Sequence, residues 1–458
     1  MRALPVQRQR IALLNDLPPR DAKYVLYWMQ QSQRAELNHA LEYAIASANE
    51  CRQPLLVAFG LMDDYPEANE RHYRFMLEGL RDTQRALRDR GVRLVVQRGA
   101  PDEVALRLGD DASLIVCDRG YLRHQKAWRS QVARRAGCQV VQVESDVVVP
   151  VETVSDHAEF AARTIRPKIH RLWDGFLVPV KREAVRKDSL SLAMESENLE
   201  SLDRLIGQLE LDRSVPAVSH RFRGGEEAAR SILRKFVRTL YDEYAANRNQ
   251  PQTDNVSHMS KYLHFGQISP VEIALALRAA KGRKENEESY LEELIVRREL
   301  AQNFAHFTPD YDSFTCLPRW AKESLREHKS DRREPQYTRA QLESASTHDP
   351  YWNAAMREMI HTGFMHNYMR MYWGKKILEW SSSPEQAFRT ALTLNNKYFL
   401  DGRDPNSYTG VAWVFGLHNR PFAERPIFGK IRYMSADGLR RKCDIDAYVE
   451  KVNLLCRT

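Results

Sequence analysis

The sequence has few of the features that mark secreted, membrane or metal-binding proteins. Its six cysteines are scattered through 458 residues and form no C-x-x-C pair. This argues against a zinc site or a disulfide framework and indicates a reducing compartment. No apolar run approaches the length of a membrane span, and the opening M-R-A-L-P-V-Q-R-Q-R lacks the apolar core of a signal peptide. We therefore expect a soluble intracellular protein with no bound metal.

Two common nucleotide-binding motifs are also missing. Neither G-x-G-x-x-G nor a Walker A run occurs, which makes a classical dinucleotide or triphosphate site unlikely on sequence grounds. There is no internal repeat and no low-complexity tract. The 458 residues, of which 43% are hydrophobic, can bury a large core. A chain of this length is expected to form roughly two or three domains. The formal net charge of +8 favours a polyanionic partner.

The first 150 residues alternate short apolar runs with amphipathic helical segments such as R-A-E-L-N-H-A-L-E-Y-A-I. This alternation predicts an α/β domain with a parallel, Rossmann-like sheet over residues 1–150. The ligands of such sheets bind beyond the carboxyl ends of the strands. The strand candidates are Y-V-L-Y-W-M, L-L-V-A-F-G-L, R-L-V-V-Q, S-L-I-V-C-D and Q-V-V-Q-V.

The pattern changes twice after the sheet region. From Val147 to about Val218 the strand signal fades into V-V-V-P-V, R-P-K-I and a polar run, which predicts a connector over the surface, assigned to residues 151–218. Over residues 219–458 helical periodicity dominates, which predicts an all-α domain. A helix is expected to begin at Asp349-Pro350, where an Asx cap precedes proline at the first helical position.

A stretch dense in methionine and aromatic residues follows that helix start. It reads T-G-F-M-H-N-Y-M-R-M-Y-W over 362–373 and leads to L-N-N-K-Y-F-L-D-G-R-D-P-N-S-Y over 394–408. By periodicity alone, such a stripe is more often ordinary packing than a cofactor site.

Taken together, these motifs resemble the FAD-binding half of the photolyase/cryptochrome family. The segment S-H-M-S-K-Y-L-H-F-G-Q-I-S-P is similar to the family's flavin-phosphate segment, and L-E-E-L-I-V-R-R-E-L is similar to its substrate-side helix. The N-terminal Y-W-M-Q-Q-S-Q-R-A-E-L-N-H-A-L resembles the class II cyclobutane pyrimidine dimer photolyases in particular. The resemblance implies an α/β antenna-type domain followed by an all-α FAD-binding domain.

The resemblance assigns the flavin contacts to two regions. A serine-rich helix start can hold a diphosphate, although it is more often only a cap. An Arg370–Asp401 pair is expected beside the flavin ring, where an exposed ion pair is the plainer alternative. Asn395 resembles the class II residue that faces flavin N5, with Asn396 one position away. The implied contacts are Tyr244, Ser257, His258, Met259, Ser260, Arg297, Asn367, Arg370, Asp401 and Asp404.

Three tryptophans are implied as a path for electrons to the flavin. Trp373 and Trp380 are seven residues apart, roughly 10 Å along a helix axis. Such spacing suits hopping between indoles and suits helix packing equally. In class I photolyases the tryptophan nearest the flavin lies at the position where this chain has Val411. This difference matches the class II arrangement, which implies that Trp373 is proximal to the flavin and Trp352 distal. Trp380, Tyr337 and Tyr372 are branches.

The lesion pocket should be apolar, with a few hydrogen-bonding groups. Glu293 resembles the family glutamate that hydrogen-bonds the pyrimidine dimer, and Met371 and Trp413 align with pocket-lining positions. Where class I photolyases have a second pocket tryptophan, this chain has Val296, beside Arg297. The residue that forms the opposite wall of the lesion pocket is therefore not assigned. DNA contacts are expected from Arg248 and from the basic run that contains Arg420, Arg425, Lys430 and Arg432.

The implied activity is light-driven repair of cyclobutane pyrimidine dimers by electron transfer from excited, reduced FAD. The alternatives are a cryptochrome-type photoreceptor and a light-independent nucleotide- or nucleic-acid-binding protein. The chain ends soon after the helix predicted over 444–455, which disfavours the photoreceptor. A second, antenna chromophore is compatible with the resemblance. We expect a monomer that acts on damaged DNA in the cytoplasm, nucleoid or nucleus.

Overall fold

A computed structural model describes residues 6–457. Within that range six strands form one sheet in the order β1-β6-β5-β2-β3-β4. All neighbouring strands are parallel except β1, which pairs antiparallel with β6. The strands are β1 Ile11–Leu13, β2 Tyr24–Trp28, β3 Leu55–Leu61, β4 Arg93–Arg98, β5 Ala112–Asp118 and β6 Gln139–Val143.

The five strands predicted from apolar runs are all present. Every residue of β2, β3 and β5 is buried, because helices cover both faces of a parallel sheet and select continuous apolar runs. The edge strand β1 was not predicted, since it is only three residues long and those residues are half-exposed or exposed. The covering helices are α1 His39–Cys51, α2 Glu70–Asp89, α3 Pro101–Gly109 and α4 Arg123–Arg135.

The connector contains only short elements. It includes α5 Val151–Val154, α6 Ala162–Leu172, a 3-10 turn at Trp173–Gly175 and α7 Leu202–Gly207. It begins with the buried Val147, Val148 and Val149, so this first part is tucked in rather than draped over the surface. The domain boundaries at 150 and 218 stay a prediction.

The remainder is helical, and within the described residues no strand follows Val143. Helix α16 begins as predicted, with the Asp349 carboxylate accepting hydrogen bonds from the backbone N–H groups of Tyr351 and Trp352. The helices are α8 Glu226–Thr239, α9 Tyr244–Asn247, α10 Ser260–His264, α11 Pro270–Ala279, α12 Lys284–Leu291, α13 Arg298–Phe307, α14 Arg319–Glu327, α15 Arg339–Glu343, α16 Pro350–Thr362, α17 Asn367–Trp380, α18 Pro384–Tyr398, α19 Pro405–Val414, α20 Ala436–Lys442 and α21 Ile445–Leu455.

One segment departs from ordinary helical geometry. The expected single helix over 291–300 is interrupted by a π-helix at Glu292–Arg297, between α12 and α13. A π-helix widens the turn and changes which side chains share a face, and such segments are frequent at functional sites. Leu294, Ile295 and Val296 are buried, while Glu293 and Arg297 reach the cleft described below.

Buried guanidinium groups join the sheet region to the helical region. Arg298 donates to the Asp146 carboxylate at 2.7 Å. Arg71 donates to the carbonyl of Tyr398 at 2.8 Å, and Arg34 to that of Gly266 at 2.9 Å. Each guanidinium is buried and satisfied across the junction, so separating the two regions would leave charges and carbonyls unpaired. No helix among residues 6–457 is long and apolar enough to cross a membrane.

Candidate functional site

A large cleft opens within the helical region. Its empty volume, including the part open to solvent, is about 1880 Å³. The walls come from the loop before α10, the π-helix, α17, α18 and α19. Sixteen side chains predicted from the sequence line it: Tyr244, Arg248, Ser257, His258, Met259, Ser260, Glu293, Arg297, Asn367, Arg370, Met371, Trp373, Asn395, Asp401, Asp404 and Trp413.

The segment Ser257–Ser260 forms one end of the cleft. Ser260 begins α10 as expected, whereas Ser257 lies in the preceding loop, where its Oγ accepts a hydrogen bond from Tyr290 at 2.6 Å. His258 has a positive φ of 55° and a buried Nδ1 without a hydrogen-bond partner among the described residues. The sharp turn at His258 brings hydroxyls and free polar atoms together at this end.

Lys261 lies immediately behind this segment. Its ammonium group is buried, donates to the carbonyl of His258 at 3.1 Å, and lies 3.8 Å from the ring centroid of Phe222. Burial lowers the pKa of Lys261 to about 7. A cation held this close to the loop contributes positive potential near Ser257–Ser260, and its charge depends on pH in the neutral range.

Arg370 and Asp401 form the ion pair that the sequence predicted. Arg370 Nη2 lies 3.0 and 3.1 Å from the two Asp401 carboxylate oxygens. The guanidinium also donates from Nε to the carbonyl of Met365 at 3.1 Å, and its Cζ lies 3.8 Å from the ring centroid of Phe399. Fixed on three sides, this charged pair can act on a ligand in the cleft without rearranging.

Asn395 lines the cleft, and Asn396 lies behind it. Asn396 Oδ1 accepts from the backbone N–H of Arg403 at 3.0 Å and from Asn395 Nδ2 at 2.9 Å. Asn396 Nδ2 donates to the carboxylate of Glu67 at 2.6 Å. Because the backbone N–H can only donate, both amide orientations are determined, and Asn395 Oδ1 is the amide atom left for a ligand.

Gly402 allows the chain to pass close to this amide pair. A Cβ at Gly402 would lie 3.0 Å from the carbonyl oxygens of both Asn395 and Asn396. Only glycine fits that distance without displacing the backbone. Asp404, two residues further on, lines the cleft and accepts a hydrogen bond from His264 Nδ1 at 3.2 Å.

The opposite wall carries Glu293 and Arg248. Arg248 Nη2 donates to Glu293 Oε1 at 2.5 Å, and its Nη1 donates to Ser289 Oγ at 2.9 Å. The Arg248 guanidinium also lies 5.7 Å from the Tyr244 ring. The half-buried carboxylate of Glu293 therefore faces the cleft and is held by Arg248, which is itself held by its contacts to Ser289 and Tyr244.

Arg297 and Trp413 face one another at 5.8 Å from guanidinium carbon to ring centroid. Arg297 is held by Glu292, whose carboxylate also pairs with Arg166. Val296, which the motif alignment placed at the second wall, is fully buried away from the cleft. The π-helix explains this difference, since its wider turn places Arg297, rather than Val296, on the cleft wall.

Helix α19, which carries Trp413, is fastened to α17 by two adjacent residues. A Cβ at Gly374 would lie 2.6 Å from Val414 Cγ2, so the helices approach closely at this point. The buried ammonium of Lys375 donates to the carbonyl of Val414. A cation at the C-terminal end of α19 satisfies a free carbonyl and complements the helix dipole.

The three predicted tryptophans form a path away from the cleft. Trp373 lines the cleft, and its carbonyl accepts a hydrogen bond from Trp352 Nε1 at 3.0 Å. Trp352 packs edge-on against Trp380 with ring centroids 5.6 Å apart. Trp380 in turn contacts the half-buried Tyr337 at 5.4 Å. Tyr372 instead donates to Asp349.

Several cleft residues were missed by the sequence reasoning. Tyr290 makes the hydrogen bond to Ser257 and Phe399 the ring contact with Arg370 described above, and His418 lines the cleft beyond Trp413. His418 Nδ1 donates to the carbonyl of Phe160 at 2.8 Å, and burial lowers the pKa of His418 to about 4. The basic run from His418 to Arg432 suggested only its arginines and Lys430 as contacts, whereas His418 is the residue of that run that lines the cleft. Arg420, Arg425 and Arg432 are exposed and lie outside the cleft lining.

A second cleft of about 710 Å³ lies at the carboxyl end of the sheet. Its lining includes five aromatic side chains, namely Phe59, Tyr65, Tyr73, Trp128 and Phe265. Arg403 reaches this cleft as a buried guanidinium whose Nε has no partner among the described residues. The position agrees with the expectation that ligands of parallel sheets bind beyond the strand carboxyl ends.

Comparisons with known proteins identify the family. A family model described as DNA photolyase matches residues 25–185. A protein from Methanothermobacter thermautotrophicus named deoxyribodipyrimidine photo-lyase is 50% identical over 448 residues, covering 98% of each chain. The chain belongs to the DNA photolyase family.

Other family members extend this likeness. A rice protein of the same name is 40% identical, covering 94% of this chain and 88% of the rice protein. Among solved structures, a class III photolyase from Agrobacterium tumefaciens matches with a TM-score of 0.75 at 18% identity, covering 94% of this chain and 87% of that one. The photolyase membership and the two-part fold predicted from the motifs are therefore confirmed.

Proposed function

We propose that the chain is a class II-type photolyase that repairs cyclobutane pyrimidine dimers in DNA with light. The observation that carries this proposal is the arrangement of the large cleft. It combines a charged pair on one wall, a hydrogen-bonding carboxylate and an aromatic ring on the other, and a buried row of tryptophans leading outward. The names of the relatives support the same activity.

The cleft suits FAD in size and in donor chemistry. Four of its lining residues have buried polar atoms without partners among residues 6–457, namely His258 Nδ1, Trp373 Nε1, Thr409 Oγ1 and His418 Nε2. Ser257–Ser260 would hold the diphosphate. Arg370, Asp401 and Asn395 would flank the ring, with Asn395 Oδ1 accepting a hydrogen bond. When bound in its reduced form and excited, FAD supplies the electron that splits the dimer.

The chain's own residues position the lesion. A flipped pyrimidine pair is uncharged and largely apolar, and photolyases extrude their target from the duplex. Trp413 and Met371 would pack on the bases, and the Glu293 carboxyl group would hydrogen-bond them. Arg297 would form the wall opposite Trp413, in addition to the flavin contact predicted for it. Enclosure by these groups excludes water from the electron-transfer step.

The tryptophans serve the cofactor rather than the lesion. Trp373, Trp352 and Trp380 would pass an electron inward from the surface and return the flavin to its reduced state. Repair itself leaves the flavin unchanged overall, so the tryptophans should be dispensable once the flavin has been reduced chemically.

The second cleft is proposed as the site of an antenna chromophore. Its aromatic lining suits a planar ring system, and the free Nε of Arg403 suits a hydrogen-bond acceptor on that ring. The chain would act as a monomer on damaged DNA, in the cytoplasm, nucleoid or nucleus. Arg420, Arg425 and Arg432 would neutralise phosphates around the mouth of the large cleft.

The deciding experiment is blue-light repair of a defined thymine-dimer oligonucleotide by the reduced protein, followed as recovery of thymine absorbance against a dark control. Recovery that requires light supports the proposal. A yellow, photoreducible protein without recovery would instead indicate a cryptochrome-type photoreceptor. A colourless protein without recovery would reject the flavin site.

A further inference from the structure

Phe160 is an exposed aromatic residue on a rigidly held backbone. Half of its surface is exposed (50%). Its carbonyl accepts the hydrogen bond from His418 Nδ1 at 2.8 Å. The preceding N–H, of Glu159, donates to Asn303 Oδ1 at 2.7 Å, and Asn303 Nδ2 donates to the carbonyl of His157 at 2.9 Å. The helical region thus fixes this segment while leaving a large apolar ring in solvent.

Phe160 lies at the rim of the large cleft. His418, which holds its carbonyl, is itself part of the cleft lining. The helix that follows Phe160, α6, is joined to the same wall through Arg166. Arg166 forms two hydrogen bonds to Glu292, at 2.9 and 2.7 Å, and Glu292 holds Arg297. The connector therefore contacts the cleft wall at two independent points.

Helix α6 is positively charged. Its sequence, A-R-T-I-R-P-K-I-H-R-L, contains four lysine and arginine residues and no carboxylate. The Arg163 guanidinium lies 5.7 Å from the Phe160 ring centroid. Arg163 is exposed and makes no ion pair within the described part of the chain. Asp156 is the nearby exposed carboxylate, and it pairs with His157.

A similar pair stands on the C-terminal side of His418. Phe422 is 37% exposed, and the Arg420 guanidinium lies 5.9 Å from its ring centroid. Because His418 is two residues from Arg420 and holds the carbonyl of Phe160, the two aromatic–arginine pairs belong to one continuous rim. Of these four residues, only Arg420 is expected from the sequence to contact DNA.

We propose that Phe160 and Arg163 form a second DNA-contacting edge of the cleft, in a connector to which no function had been assigned. This inference rests on the proposed function. Duplex DNA that delivers a flipped lesion leaves exposed base faces beside the gap and phosphates on either side. The Phe160 ring packs against those base faces, and Arg163 pairs with a phosphate. Since the backbone is already fixed, this contact needs little ordering on binding.

The test compares a duplex containing one thymine dimer with the isolated thymine-dimer dinucleotide, which has no flanking nucleotides. Phe160→Ala should weaken duplex binding about tenfold, within the range measured for base–aromatic stacking. Arg163→Ala should lower the slope of log affinity against log salt by about 0.9. Repair of the saturating dinucleotide should stay at the wild-type level for both variants.

Matched variants distinguish loss of the DNA contact from loss of folding. Phe160→Trp keeps an aromatic face and should restore duplex affinity, and Arg163→Lys should restore the salt slope. Leu454→Ala removes another exposed apolar side chain, 63% exposed, and should bind like wild type. Flavin absorbance and the melting temperature report whether each variant folds.

The outcomes distinguish this inference from the activity it rests on. If wild-type protein repairs neither substrate, the proposed function fails. If wild type repairs both substrates and the alanine variants bind the duplex with wild-type affinity and salt slope, then Phe160 and Arg163 do not contact DNA. The proposed function stands in that case. An equal loss on duplex and dinucleotide also overturns the edge, because the residues would then act through the cleft.

Discussion

Glu293 and Arg248 form a single ion pair, with Arg248 Nη2 2.5 Å from Glu293 Oε1. The family resemblance gave these residues separate tasks, one on the lesion and the other on DNA. If Glu293 contacts the lesion as proposed, its charge is already balanced by that of Arg248. Arg248 keeps its contacts to Ser289 and Tyr244, so Glu293 can turn one oxygen to a base without leaving its partner.

The first prediction concerns Glu293. Glu293→Ala should lower the repair yield per absorbed photon about fivefold, because a hydrogen bond of this kind contributes about 1 kcal/mol. Repair of a thymine-dimer oligonucleotide under limiting light measures the effect. Glu288→Ala, an exposed glutamate on the preceding helix α12, is the control. An unchanged yield in Glu293→Ala would remove this residue from the lesion contacts.

The second prediction concerns Trp352. Trp352→Phe should slow photoreduction of the flavin several-fold, because phenylalanine is far harder to oxidise than indole. Repair by protein reduced with dithionite should be unaffected. Trp320→Phe changes a partly buried indole on helix α14, for which no ring contact to the three tryptophans is found among residues 6–457. Equal photoreduction rates in the two variants would contradict the electron path.

The third prediction concerns Asp401. Asp401→Asn removes one charge of the pair with Arg370 and should weaken FAD binding about tenfold or more, since hydrogen bonds to charged groups contribute about 1.5–3 kcal/mol. Titration of the apoprotein, followed by flavin fluorescence, gives the dissociation constant. Asp437→Asn breaks an exposed carboxylate–arginine pair on α20 and should bind FAD normally. If both variants bind alike, Asp401 has no part in the flavin site.

The fourth prediction concerns pH. Burial lowers the pKa of Lys261 to about 7 in the folded protein, whereas a lysine in the unfolded chain has a pKa of about 10.4. Between these values the unfolded chain holds a proton on Lys261 that the folded chain has lost, so the contribution of Lys261 to the free energy of unfolding of the apoprotein rises with pH. Below about pH 7 the cost of the buried charge is fully present.

Urea midpoints at pH 6.5 and 9 test this. Lys261→Met should be more stable than wild type at the lower pH and should lose this part of the pH dependence. Lys235→Met, which removes an exposed lysine of α8, controls for the change in net charge. A pH dependence in Lys261→Met equal to that of wild type would show that Lys261 is not its source.

Local patterns sufficed for most of the fold. Continuous apolar runs marked the five buried strands because a covered parallel sheet excludes water from both faces. The Asp349-Pro350 cap marked the start of α16 for an equally local reason. The edge strand β1 has no such signal, because it is only three residues long and is not covered on both faces.

The motifs also located the cleft, since its walls are short contiguous segments. What they missed depends on contacts between distant segments or on helix geometry. Glu67 reaches Asn396 from the sheet region, which no local pattern reveals. The π-helix moves Arg297 to the wall where alignment had suggested Val296. His418 is recognised only through its bond to Phe160, in a connector that carried no motif.

If the second cleft holds the antenna chromophore proposed for it, the buried guanidinium bridges of Arg34, Arg71 and Arg298 have a consequence for how light is collected. Resonance transfer between two dyes falls steeply with distance and depends on the angle between their transition dipoles. Because those bridges lock the sheet region to the helical region, the two clefts keep one separation and one mutual tilt. The optical coupling is then set when the chain folds, so harvesting should persist even in a frozen glass where no hinge can move.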